Sequence, residues 1–214
     1  MKPSPDETAT QQNRSPDAHP ARRHPAAPHG IARVSARVLL LRGINVGGKN
    51  KVPMADLRAL LADLGHTAVS THLNSGNAVF TPASTTASNE TLTTEVEQSI
   101  KDRLGLDIGC VVVTHDDLTA LITANPLPEA EQDPSRFLVT FLSGPVDPDL
   151  FAAIDPTTHL PDRFAAGERV IYQWSPEGVR NSKLTHTYLA KKLNLRVATA
   201  RNWNTVLALR DKSA

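Results

Sequence analysis

VLLLRGINVGGKNKVPMADLRALLADLGHTAVSTHLNSGNAVF, residues 38 to 80, contains the change of periodicity on which the fold turns. Val38 to Leu41 is a short continuous apolar run, as a strand covered on both faces requires, and it stops at Arg42 and Gly43. From Met54 the apolar positions Met54, Leu57, Leu60, Leu61 and Leu64 recur at helical spacing, with Pro53 suited to a first turn and Gly65 to a C-terminal cap. Thr67 to Leu73 and Ala78 to Thr81 then flank Asn74-Ser75-Gly76-Asn77, whose residues tolerate positive φ and form turn hydrogen bonds. The segment therefore reads strand, helix, strand, turn, strand.

Working outward, Leu92, Val96, Ile100 and Leu104 mark a second helix, opened near Ser88 or Asn89 and closed by Gly105, and Ile108 to Val113 is another strand. The order β-α-β-β-α-β is that of the split βαβ, or ferredoxin-like, unit, in which helices cover one face of an antiparallel sheet. A connecting helix near Asp116 to Ala124 precedes what reads as a second pass. Its elements are a strand at Phe137 to Leu142, a helix at Pro148 to Ile154, a strand near His159 to Phe164 and another at Arg169 to Trp174. A helix at Ser182 to Leu193, a short strand at Arg196 to Thr199 and a closing helix at Trp203 to Arg210 complete it. The expected class is α+β, with two ferredoxin-like halves at residues 35–114 and 115–214. No residue-level repeat links them, so this expectation rests on element order.

Residues 1–34 are rich in Pro, Ala, Ser, Arg and His and nearly free of large apolar side chains, which predicts a disordered extension. The one cysteine, Cys110, lies in an apolar run and excludes a disulfide framework. No stretch approaches the roughly 20 apolar residues of a spanning helix, and no charged start precedes an apolar block. A cytoplasmic protein without membrane contact is the expectation.

The formal net charge of +1 hides an asymmetry, because residues 179–214 carry eight Lys or Arg against one acid, whereas residues 53–177 carry six basic and eighteen acidic residues. A basic face on an otherwise acidic chain points to an anionic partner.

Four stretches bear candidate chemistry. In Arg42 to Lys51, Gly43, Gly48 and Lys49 match the spacing of a phosphate-binding P-loop. The match is defective, since Asn50 replaces the magnesium-holding Ser or Thr and the helix starts only near Pro53; a looser anion loop using Arg42, Asn45, Lys49 and Lys51 remains. Ser75 and Asn77 of the hairpin turn present further polar groups, though Asn and Gly also serve the turn itself. In Gly178 to Thr185, Asn181 or Ser182 is placed to cap a helix whose free amides adjoin Arg180 and Lys183, a ready anion site. Thr199 to Thr205 surrounds Trp203 with Arg201, Asn202 and Asn204; Arg201 suits an anion, and Trp203 suits either base stacking or the core of the last helix. His66, His72, His115 and His159 have no partner at a metal-ligand spacing and read as surface or turn residues. His186 falls one helical turn after Ser182, but no orienting acid or oxyanion site accompanies that pair. Neither a metal nor a cofactor is expected.

Four separated stretches, LLRGINVGGKNKVPMADLRALLADLG at 40–65, LNSGNAVF at 73–80, GVRNSKLT at 178–185 and TARNWNTVLAL at 199–209, resemble a bacterial family catalogued as domain of unknown function 1697. Relative to that family, Asn74 stands where glutamine is usual, and Arg180-Asn181-Ser182-Lys183 where Gly-Arg-Ser-Lys is frequent. The resemblance covers about residues 37–210 and implies the doubled fold, with no established activity. Three functions stay open: binding of a phosphate-bearing ligand, nucleotide or nucleic acid, through Lys49, Lys51, Lys183 and Arg201; catalysis on a small anionic substrate between the halves, with Ser75, Ser182 or His186 reacting; and protein binding through an exposed apolar patch.

Overall fold

A computed structural model describes residues 35–48 and 50–214, so the expected N-terminal extension and Lys49 lie outside the described residues. The first pass runs β1 Arg37–Leu41, α1 Met54–Asp63, β2 Thr67–His72, β3 Asn77–Thr81, α2 Asn89–Leu104 and β4 Cys110–Thr114, with strand order β2-β3-β1-β4. The caps act as their residue types dictate: the Ser88 side chain accepts from Thr91 N–H at the start of α2, and Gly105 closes it at φ 67°.

The next elements are α3 His115–Thr123, opened by a Thr114–Asp117 capping box, and a short α4 Glu129–Gln132 that the sequence pattern did not indicate. The second pass runs β5 Phe137–Leu142, α5 Pro148–Ala152, β6 Arg163–Ala166, β7 Val170–Trp174, α6 His186–Lys192 and β8 Ala198–Asn202, before α7 Trp203–Lys212. Its strand order, β6-β7-β5-β8, repeats that of the first sheet, and both sheets are antiparallel throughout. The fold is α+β with two split βαβ units.

Three boundaries differ from expectation. Pro156–His159 forms a single 3-10 turn and β6 begins only at Arg163; β8 runs from Ala198 to Asn202, starting two residues later and ending three later than the apolar pattern suggested. The helix expected from Ser182 starts at His186, because Thr185 is the residue whose side chain accepts the free Tyr188 N–H. Neither Asn181 nor Ser182 caps it.

Alternation along the strands divides the core. Leu39, Leu41, Ala78, Phe80, Cys110 and Val112 pack beneath α1 and α2, where Leu57, Leu60 and Leu61 are buried. Leu142, Ile171 and Ala198 pack beneath α5 and α6 with Leu189. The remaining faces of the two sheets meet in one shared core, where Val38, Leu40 and Val111 of the first join Phe137, Val139 and Tyr172 of the second, with Leu118 of α3 and Val206 of α7. His66 and His159, expected at the surface, are buried: His66 stacks on Phe80 at 4.5 Å and His159 bonds Tyr188 Oη at 3.2 Å. Burial lowers the His66 pKa and so favours its neutral, more apolar imidazole.

A candidate anion site at the seam between the sheets

The loop after β1 holds five residues at positive φ, Gly43, Asn45, Gly47, Gly48 and Asn50. Two asparagines stabilise this path. Asn45 Oδ1 accepts from Val52 N–H at 3.0 Å, while its Nδ2 donates to Val52 C=O at 3.0 Å and to Asn74 C=O at 2.8 Å; Asn50 Nδ2 donates to Gly43 C=O at 3.3 Å. Asn45 is thus a brace between the loop and the β2–β3 turn. That turn approaches β1 so closely that a Cβ at Gly76 would lie 2.7 Å from Leu41 Cβ.

The turn is bound in turn to the second sheet. Asn77 is fully buried; its Nδ2 donates to His72 C=O and Ser75 Oγ, each at 2.9 Å, and its Oδ1 accepts from Arg201 Nε. Arg201 Nη1 donates to Thr199 Oγ1 and Ala200 C=O, both at 2.8 Å, and Nη2 to Leu41 C=O at 2.8 Å and Ser75 C=O at 3.2 Å. All five guanidinium donors are spent on uncharged acceptors. The sequence made Arg201 an anion contact; burial and this saturation make it a clamp of β8 onto β1 and the hairpin turn. Burial also pushes its pKa down to about 10, which leaves it charged at neutral pH.

Three further candidates have structural duties. Trp203 is buried against Phe137 with ring centroids 5.3 Å apart and is no base-stacking platform. Asn202 caps α7 by accepting Thr205 N–H at 2.9 Å. Ser182 Oγ donates to Asp162, and accepts from Gln173 Nε2 at 2.8 Å and from Leu184 N–H at 3.0 Å. It pins the segment before α6 to the second sheet. Neither Ser75 nor Ser182 is hydrogen-bonded to a histidine among the described residues.

What remains uncommitted is cationic. Arg42 is half-buried, with one contact from Nη2 to Thr187 Oγ1 at 3.3 Å, and it joins none of the six ion pairs among the described residues. Beside it, His186 is held below the usual imidazole range, first by burial and then by the positive fields of Arg42 and Arg201. Lys51, Lys183 and Asn204 are exposed, and the two lysines also have no ion pair among the described residues. Arg42, Asn45, Ser75, Asn77 and Arg201 therefore converge at the seam with Thr187, whereas Ser182, Asn202 and Trp203 serve separate packing roles.

Two cavities, of about 320 and 300 Å³, lie elsewhere along the interface of the sheets, and none of the sequence-predicted site residues lines either. Their walls are ordinary core residues such as Val111 and Val112, which carried no sequence signal beyond strand apolarity. Among the described residues no group of three His, Cys, Asp or Glu side chains is arranged for a metal ion, and no helix is long and apolar enough to cross a membrane.

A search of curated proteins found no match. A solved structure of the conserved bacterial protein SP0830 from Streptococcus pneumoniae is similar to this chain at 28% identity and a TM-score of 0.66, covering 84% of this chain and 99% of that one. Residues 34–172 match the family described as protein of unknown function DUF1697. With the doubled βαββαβ order and that match over more than half of its length, the chain belongs to the DUF1697 family.

Proposed function

We infer that the protein binds a phosphate-bearing ligand, a nucleotide or nucleic acid, at the seam where the loop after β1 meets the start of α6. The observation that carries this reading is Arg42: a half-buried guanidinium with a single 3.3 Å contact, beside a histidine whose charged neighbours are Arg42 and Arg201. A cation held at a partly dry seam without a carboxylate is an unmet electrostatic demand that an anion satisfies. Exposed Lys51 and Lys183 add attraction at longer range. Arg201 contributes only field, since its donors are occupied.

The test is to titrate mono- and oligonucleotides against the wild type and an Arg42→Ala, Lys51→Ala, Lys183→Ala variant at low and moderate salt. Affinity should fall about tenfold or more in a variant of unchanged melting temperature, and the salt slope should flatten. An anion beside His186 also favours its protonated form, so wild-type binding should tighten as pH falls below the ordinary imidazole range toward the lowered pKa of His186, and His186→Asn should remove that dependence. Equal affinity in wild type and triple variant overturns the reading.

A protein-binding scaffold is the second reading, favoured by Val46 and Leu73, large side chains 71% and 60% exposed on the two loops that Asn45 braces together. Val46→Ser with Leu73→Ser would leave nucleotide affinity unchanged under the first reading and abolish partner capture under the second.

A further inference from the structure

The larger cavity borders the free edge of the first sheet, and strand register determines what that edge offers. Arg42 N–H donates to Gly109 C=O at 2.9 Å, so Gly109, Val111 and Val113 direct their main-chain groups toward β1, while Cys110, Val112 and Thr114 direct theirs away. Two of the outward N–H groups are taken by carboxylates: Cys110 N–H by Glu97 Oε1 and Thr114 N–H by Asp117 Oδ2, each at 2.8 Å. Between them, the N–H and C=O of Val112 have no partner among the described residues.

The cavity of about 320 Å³ opens onto this stretch, with Leu121, Phe141, Val170 and Tyr172 as walls. The Tyr172 hydroxyl is already engaged, donating to Leu121 C=O at 2.7 Å. At the rim, Arg169 is engaged by Glu90 and by Ser143 C=O, both at 3.1 Å, and Asp117 by Thr114. Glu168 is the charge left over, and it is negative.

We propose that this cavity binds a small neutral molecule with a flat apolar body and an amide edge, whose N–H and C=O pair with the free main-chain groups of Val112. Strand addition by a peptide needs a longer run of unpaired groups than the Glu97 and Asp117 plugs leave. The apolar walls call for an apolar body, the paired donor and acceptor call for an amide or lactam, and Glu168 disfavours an anion. The volume suits one ring system. This site shares no residue with the seam around Arg42.

The experiment uses the full chain labelled with nitrogen-15 and three probes: benzamide, N,N-dimethylbenzamide and benzoate. Benzamide is expected to shift the Val112 amide resonance and to bind about tenfold more tightly than either analogue, one lacking the donor and the other carrying a charge. Ala120→Trp and Ala124→Trp, both at exposed positions on the cavity mouth, should each weaken benzamide by about tenfold or more without lowering the melting temperature. Undiminished binding in either folded variant, equal binding of the three probes, or an unmoved Val112 amide overturns the proposal.

Discussion

Replacing Arg201 tests whether the most buried cation among the described residues is a clamp or a ligand contact. Its five donors meet Asn77 Oδ1, Thr199 Oγ1 and the carbonyls of Ala200, Leu41 and Ser75, with no carboxylate among them. A net hydrogen bond from a charged donor is worth about 1.5 to 3 kcal/mol, and an acceptor left dry costs about 1 to 3 kcal/mol. These terms do not add in full, because water enters part of the space and Leu41 C=O keeps its bond from Thr199 Oγ1 at 3.1 Å. Arg201→Ala should therefore cost about 3 to 5 kcal/mol. Arg201→Lys keeps the charge but has three donors for five acceptors and no planar fork, so about 2 kcal/mol should be lost. Equilibrium urea unfolding with unchanged m-values measures both. The Asn77→Ala, Arg201→Ala double variant should be less destabilised than the sum of the single variants, since the two side chains share one bond. An Arg201→Ala cost below about 1 kcal/mol, or a lysine variant as stable as wild type, would refute the clamp; phosphate stabilising wild type but not Arg201→Lys would restore a ligand role.

Three other outcomes follow from single features. Leu60 is 1% exposed beneath the first sheet, so Leu60→Ala should lose about 2 to 5 kcal/mol in the same unfolding assay, and a loss below about 0.5 kcal/mol would place it on the surface. At Gly76, φ is +77° and a Cβ would sit 2.7 Å from Leu41 Cβ and 2.9 Å from Ile44 Cδ1, so Gly76→Ala should cost about 2 to 4 kcal/mol, read as a lower urea midpoint. Burial holds His66 below the usual imidazole pKa against a smaller opposing pull from Glu95, and its Nδ1 accepts Ala83 N–H at 3.2 Å. The unfolded chain then takes up that proton first: stability is complete above about pH 6.5 and declines as pH falls through and below it, with a shallower decline in His66→Leu.

The elements of the first unit were legible in the sequence because their signals are local. Helical spacing from Met54, the Ser88 and Gly105 caps and the apolar runs of β1 and β4 each depend on residues a few positions apart, and the structure places them within a residue or two. The order of eight strands then implied two split βαβ units, although α6 started four residues late because Asn181, Ser182 and Thr185 all carry cap-competent side chains and only the path of the chain chooses among them. The site was less legible. Arg42, Asn45, Ser75, Asn77 and Arg201 were all singled out as polar groups in unusual stretches, yet whether a polar side chain meets a ligand or another part of the chain is decided across long separations. Arg201 finds Asn77 124 positions away and Leu41 160 away, and that pairing turns an apparent anion contact into an internal tie. Conversely, the cavity beside Val112 arises from the outward half of a strand register and the gap between two sheets, and residues that read as plain core give no trace of it one at a time. Local periodicity determined the elements; only tertiary packing decided which donors were left over, because hydrogen-bond saturation is a property of neighbours in space.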